Sequence, residues 1–190
     1  MTQDIAALIG SRICHDLISP IGAIGNGVQL LAMSGGAAGA EMDLITESVH
    51  NANAHIRFFR IAYGAAQADH TIGRQEVLSV LMATAQGGRF TYFWQVDGEQ
   101  SREMVRIAFL MLQCFETALP LGGEIQIGQE GDNCVMTGTS TRLAIETPLW
   151  DSLLAANAYP HKAALVQFAL LPPPYRRLAG SWKSAMMTQH

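Results

Sequence analysis

An α+β protein is expected from three features of the sequence. Two N-terminal segments carry apolar residues at alternating three- and four-residue spacing, a glycine-rich break separates them, and the second half alternates short strand-like and helix-like stretches. The expected architecture is an N-terminal antiparallel helical hairpin over residues 1–70, forming a dimeric four-helix bundle, followed by an α/β sandwich over 71–190.

The first helix is expected from Asp4 to Met33. Leu17, Ile21, Ile24, Val28 and Leu31 form a heptad seam. Gly35, Gly36 and Gly39 break the chain before a second helix from Glu41 to Ala68, with Met42, Ile45, Val49, Ala52, Ile56, Phe59 and Tyr63 in the same alternation. Two such helices joined by a short loop make a hairpin, and a lone hairpin leaves half of its seam in water. A two-fold partner that completes a four-helix bundle covers it. Phe58, Phe59 and Tyr63 are assigned to that bundle core.

Beyond the hairpin, Glu76 to Ala85 reads as helix. Arg89 to Val96, rich in aromatic and β-branched residues, reads as a strand. Ser101 is a candidate N-cap for a helix reaching Leu119, which Pro120 and Gly122-Gly123 terminate. Glu124–Ile127 and Cys134–Gly138 are short strands. Thr147-Pro148 opens a helix to Ala156, Tyr159-Pro160 another to Leu171, and Pro172-Pro173-Pro174 interrupts before a last strand within Ser181–Met187.

Composition narrows the functional classes. The chain is 49% hydrophobic but only 15% charged, a balance that favours burial of further surface against a partner. The net charge of -4 and the absence of a Lys/Arg cluster exclude a nucleic-acid surface. Cys14, Cys114 and Cys134 are far apart and lack CxxC spacing, which reads as free thiols in a reducing cytosol. The N-terminus MTQDIAALIGSR lacks the basic start and apolar run of a signal peptide, and there is no run of about 20 apolar residues to cross a membrane. A cytoplasmic protein is expected.

The chemistry concentrates at Arg12-Ile13-Cys14-His15-Asp16-Leu17-Ile18-Ser19-Pro20-Ile21. At about 100° per residue, His15 points roughly opposite the seam. Ser11, Ser19, Gly22, Asn26 and Gln29 share its side, all small or polar. Gly22, Gly25 and Gly27 each cost about 1 kcal/mol relative to alanine inside a helix, and Pro20 removes a helical hydrogen bond and bends the axis. Close approach by a partner compensates such costs. An imidazole of ordinary pKa, about 6.5, offers a neutral nucleophilic nitrogen at physiological pH and forms a labile phosphoramidate. Asp16 is placed to accept its hydrogen bond or proton. Arg12, at i−3, is a candidate to steady a phosphoryl group or a partner carboxylate. Ser19, Gly22 and Asn26 form docking ground that Leu8 and Ile18 flank. His50, His55, His70, His161 and His190 read as ordinary histidines. No resident metal is expected: Cys14 and His15 diverge on a helix and no third ligand accompanies them.

His15-Asp16-Leu17 followed by Pro20-Ile21 resembles the H-box of sensor histidine kinases, in which the histidine is the phosphoacceptor. The longer run from Cys14 to Ile24, with Asn26-Gly27, resembles the ChpT-type histidine phosphotransferases of alphaproteobacteria. The order of elements in the second half is similar to a kinase ATP-binding domain, and Glu116 to Gly123 resembles a helix end of that family. The nucleotide features are missing. The helix Leu110–Glu116 has no asparagine to hold Mg²⁺, and Val135-Met136-Thr137-Gly138-Thr139-Ser140 stands where the adenine glycine box belongs. The resemblance therefore implies a degenerate ATPase-like domain without ATP. It implies a relay from the receiver aspartate of a hybrid histidine kinase, through His15, to the receivers of response regulators, with Mg²⁺ supplied by the partner receiver. Two alternatives stand beside it: a divergent ATP-dependent histidine kinase, and a non-catalytic dimeric adaptor that docks receivers.

Overall fold

The structure is a computed structural model that describes residues 4–33, 39–65, 69–130, 133–154, 162–171 and 186–189. Helix α1 runs Ile5–Met33 and α2 Ala40–Ala62. The Asp4 carboxylate opens α1 by accepting a hydrogen bond from the Ala7 backbone N–H at 3.1 Å. The two helices pack along one another as a hairpin. Gly27 is where they come closest: a Cβ built there would lie 2.6 Å from Ile45 Cγ1.

Helix α2 ends at Ala62 and does not continue to Ala68. The reason lies 40 residues downstream. Arg102 donates from Nη2 to the Arg60 carbonyl (2.8 Å) and from Nε to the Ala65 carbonyl (3.1 Å), and Arg106 Nε donates to the Ala62 carbonyl (3.2 Å). Two cations thus satisfy carbonyls that a helix end leaves without partners, at the negative end of its dipole.

Strand β1 (Thr71–Gly73) leads directly into α3 (Arg74–Ala85). After β2 (Phe90–Trp94), the short β3 (Glu99–Ser101) returns to pair antiparallel with β1, Ile72 opposite Gln100. Ser101 then caps α4 (Arg102–Ala118), its side chain accepting from the Met104 N–H at 3.2 Å. β4 (Gly123–Glu130) and β5 (Asn133–Ser140) form a hairpin. Helix α5 (Thr147–Leu154), a 3₁₀ turn (Ala163–Leu165), α6 (Val166–Leu170) and β6 (Met186–Gln189) complete the order. The helices expected from Glu76, Ser101 and Thr147 and the strands expected from Arg89, Glu124 and Cys134 are present over the described residues; β1 and β3 were not expected, and of the helix expected from Tyr159 to Leu171 the described residues hold a 3₁₀ turn and the short α6, residues 155–161 lying outside them. Of the expected last strand only Met186 and Met187 fall within β6; the triple proline, the hairpin loop 34–38, His161 and His190 lie outside the described residues.

The main sheet has the order β2-β4-β5-β6, parallel at its two outer pairs and antiparallel at the centre. One face buries Trp94, Ile125, Ile127, Met136 and Gly138. Helix α4 contributes the densest part of the core: Val105 and every residue from Ile107 to Phe115 are buried. Its Phe115 ring lies where a side chain at Gly138 would project, 2.6 Å from an ideal Cβ, so only glycine admits that helix–sheet approach. The far end of α2 enters the same core. Phe58 stacks on Phe109 with ring centroids 4.7 Å apart, and Phe59, Ile61 and Ala62 are buried beside it. Phe58 and Phe59 are thus junction residues that join the hairpin to α4. That corrects their assignment to a bundle core: seam spacing alone does not say which neighbour covers the seam.

Candidate functional site

α1 presents His15 outward, with 83% of its side chain exposed. The neighbours behind it are enclosed: 16% of the Asp16 side chain and 20% of Arg12 are exposed. Asp16 divides its two oxygens. Oδ1 lies 3.0 Å from His15 Nδ1 and Oδ2 lies 2.8 Å from Arg12 Nε. A carboxylate can only accept, so this contact puts a proton on Nδ1, and in the neutral ring Nε2 then keeps its lone pair. The Arg12 Nε–H is not aligned along its short contact, which is an ion pair by proximity; the aligned hydrogen bond of that guanidinium runs from Nη1 to the Ala164 carbonyl at 3.1 Å.

Pro20 sits one turn after Asp16, inside the continuous α1. Its ring carries no N–H, so the hydrogen bond that would run back to the Asp16 carbonyl is missing at the turn that carries the histidine.

The sequence-chosen residues divide into two sets. Ile18 (71% exposed), Ser19, Gly22 and Asn26 are exposed along α1 with His15, and a Cβ at Gly22 would meet nothing within 4 Å. Leu8 is half-buried. Arg12 turns inward to Asp16 and Ala164, away from the strip that His15 shares with Ser19 and Gly22.

Beside His15 opens a cleft of about 540 Å³ between the hairpin and the second half of the chain. Arg12, Asp16 and Pro20 line one wall, Asn51 and His55 of α2 another, and the turn Gly87-Gly88-Arg89 the opposite rim. His55 hydrogen-bonds through Nδ1 to the Asn51 carbonyl at 2.8 Å, an ordinary helix-surface contact.

Tyr92, Gln113 and Glu116, which were not selected as site residues from the sequence, line the cleft. Tyr63 Oη donates to Gln113 Oε1 at 2.8 Å, and Tyr92 Oη donates to Glu116 Oε1 at 2.6 Å. Burial pushes the Tyr63 hydroxyl up to about 12 and raises Tyr92 further. Burial also raises the Glu116 carboxyl, against the Tyr92 hydrogen bond and the nearby Arg12 and Arg89. The one available signal was polar residues at i and i+3, Gln113 and Glu116, in an otherwise apolar helix stretch. Their partners are Tyr63, just past the end of α2, and Tyr92 of β2, far away in sequence.

Among the described residues no group of three His, Cys, Asp or Glu side chains is placed to hold a metal ion. No helix among them is long and apolar enough to cross a membrane. The three cysteines are unpaired: Cys14 is exposed, Cys114 and Cys134 buried.

Comparison with known proteins places the chain among relatives. The family model for the histidine phosphotransferase C-terminal domain matches residues 74–183. Protein phosphotransferase ChpT of Brucella abortus (strain 2308) is 37% identical over 134 residues, which are 68% of this chain and 63% of that protein. The match thus spans less than two thirds of that relative's length. A solved structure described as a bacterial phosphotransferase superposes with a TM-score of 0.74 at 32% identity, covering 95% of this chain and 89% of the other.

Proposed function

The chain belongs to the histidine phosphotransferase family, and from that premise we propose that it relays a phosphoryl group through His15 between aspartates of receiver domains. The donor is the receiver of a hybrid histidine kinase and the acceptor that of a response regulator. The observation that carries the reading is the exposed imidazole whose Nδ1 is held by Asp16, so that in the neutral ring Nε2 is the nitrogen that keeps the lone pair.

The step follows from that geometry. Nε2 attacks the phosphorus of a receiver's aspartyl phosphate. The P–N bond forms as the P–O bond to the aspartate breaks, and the carboxylate leaves with the bonding pair. The ring is then a phosphorylated imidazolium, and the Nδ1 proton is shared with or passed to Asp16. Transfer onward reverses the sequence: Asp16 returns the proton and the imidazole leaves. Positioning and charge neutralisation dominate phosphoryl transfer, and the Mg²⁺ of the partner receiver supplies the cation. Ile18, Ser19, Gly22 and Asn26, with Leu8 at the edge, form the receiver-facing ground.

The same reading assigns a second copy of the chain to the open side of the hairpin. Leu17, Ile24 and Leu31 of the seam are half-buried within the hairpin, while Ile21 (58%), Val28 (53%) and, on α2, Ile56 (51%) remain exposed. A homodimeric four-helix bundle covers these residues. Residues 1–70 are then the dimerisation and transfer unit, and 71–190 a degenerate ATPase-like unit. No ATP is used: where a nucleotide–Mg²⁺ site requires oxygen ligands, Leu110 to Phe115 are packed in the core. A cytoplasmic location accords with receiver partners.

The test is incubation with a phosphorylated receiver domain, seeking acid-labile label on His15. Wild-type protein takes the label and His15→Gln does not, while both remain dimeric. Label persisting in His15→Gln overturns the relay. Labelling from ATP alone restores the kinase alternative, and undiminished downstream output in His15→Gln restores the adaptor.

A further inference from the structure

Resting on the reading of His15 as phosphoacceptor, we propose that Arg12 is a positioning residue: anchored on the Ala164 carbonyl, it fixes Asp16 against His15 Nδ1 and thereby keeps Nε2 the free, reactive nitrogen. A carboxylate adjacent in sequence to the histidine has no reason of its own to stay on the ring. Its rotation about χ1 and χ2 competes with water at every position. Here one oxygen is taken from behind by Arg12 and the other is left for the imidazole.

The guanidinium suits the task because it is planar and always charged, so it can donate to a carbonyl on one side and hold a carboxylate by charge on another. One partner is the Asp16 carboxylate on its own helix, held as an ion pair. The other, Ala164, lies 152 residues away in the 3₁₀ turn before α6, a segment that packs on α1. The second half of the chain thus reaches the phosphoacceptor through three short contacts, Ala164 to Arg12 to Asp16 to His15. Arg12 and Asp16 are enclosed and His15 projects.

A docking role and a purely structural role for Arg12 make different predictions. Phosphoramidate is a small donor that needs no docking: its P–N bond breaks, ammonia leaves, and the phosphoryl group passes to the ring. Rates of His15 labelling by phosphoramidate are measured for wild type, Arg12→Gln, Asp16→Asn, the double variant and Arg12→Lys, with ¹⁵N spectra of the His15 ring reporting which nitrogen holds the proton. Arg12→Gln is expected to slow labelling roughly tenfold, as loss of a partner behind a carboxylate–histidine pair does, and to move the proton toward Nε2. The double variant is expected to be no slower than Asp16→Asn alone, because the two act in series. Arg12→Lys falls between.

Additive losses, or a wild-type rate and wild-type ring spectrum in Arg12→Gln, overturn the inference. So does a loss confined to transfer from a receiver domain, which would make Arg12 a docking residue. Should Arg12→Gln not fold, Arg12→Lys carries the comparison: slower labelling with a moved ring proton supports the proposal, and wild-type behaviour in both overturns it. Undiminished labelling of His15→Gln would remove the phosphoacceptor reading itself, an outcome separate from all of these.

Discussion

Gly22 is the position where stability and transfer are expected to move in opposite directions. It lies seven residues beyond His15, about 10 Å along the helix axis, in the interior of α1, and an ideal Cβ there has no neighbour within 4 Å. Gly22→Ala therefore removes the helical penalty of glycine, about 0.8–1.0 kcal/mol, with no steric loss in the chain itself. For a chain of this size that corresponds to a rise of about 2–4 °C in Tm. The added methyl group nevertheless stands on the strip over which a receiver must lie to bring its aspartate to the ring. A misplacement of about 1 Å between reacting groups costs on the order of 100-fold in rate. The expected result is a more stable protein that accepts label from a phosphorylated receiver 10- to 100-fold more slowly, yet is labelled by phosphoramidate at the wild-type rate.

Gly27→Ala supplies the opposite sign on the same helix. Its Cβ would fall 2.6 Å from Ile45 Cγ1, and an overpacking cost of about 1–3 kcal/mol outweighs the same helical gain. Thermal scans of the two variants with receiver-dependent labelling decide the matter. A Gly22→Ala protein that gains stability and transfers normally refutes the docking ground. One that loses stability shows that this face is already covered.

Two further outcomes are expected. Ile21→Glu with Val28→Glu places carboxylates on exposed positions of the seam, and light scattering should find a helical monomer where the wild type is a dimer; a doubly substituted dimer, or a wild-type monomer, refutes the bundle. Glu116→Gln keeps the acceptor for Tyr92 but cannot ionise. Because burial raises the Glu116 pKa in the folded state, the stability linked to its protonated form is complete below the ordinary carboxylate pKa and is lost as pH rises through the raised value. The Tm of Glu116→Gln relative to wild type should therefore increase between acidic and neutral pH, and a flat or falling difference across that interval refutes the assignment.

Much of this was legible in the sequence, for physical reasons that differ by element. Helices α1 and α4 have strong periodicity and chemical punctuation: Ser101 before α4, Pro120 and Gly122 after it, and the glycine-rich break after Met33. The central strands were visible because Ile125 and Ile127 alternate with Glu124 and Gln126. β1 and β3 were not, since three residues hold no pattern and each strand exists through the other, Thr71 opposite Ser101. The end of α2 depends on Arg102 and Arg106, which no local window contains. At the site, His15, Asp16 and the small residues after them share a helix turn and were readable together. Tyr92 of β2 and Gln113 and Glu116 of α4 are apart in sequence, and only the folded chain brings them to one cleft.

The cost of keeping a reactive ring exposed explains why the second half of the chain is attached so firmly. α1 carries Pro20 and three glycines within its central turns, and these residues lower the intrinsic stability of the helix that holds His15. The compensation cannot come from α1 itself without filling the strip that a partner needs. It comes from beneath: Phe58 on Phe109, arginines from α4 on the last carbonyls of α2, and the Ala164 carbonyl on Arg12. Each of these contacts joins the hairpin to the second half of the chain.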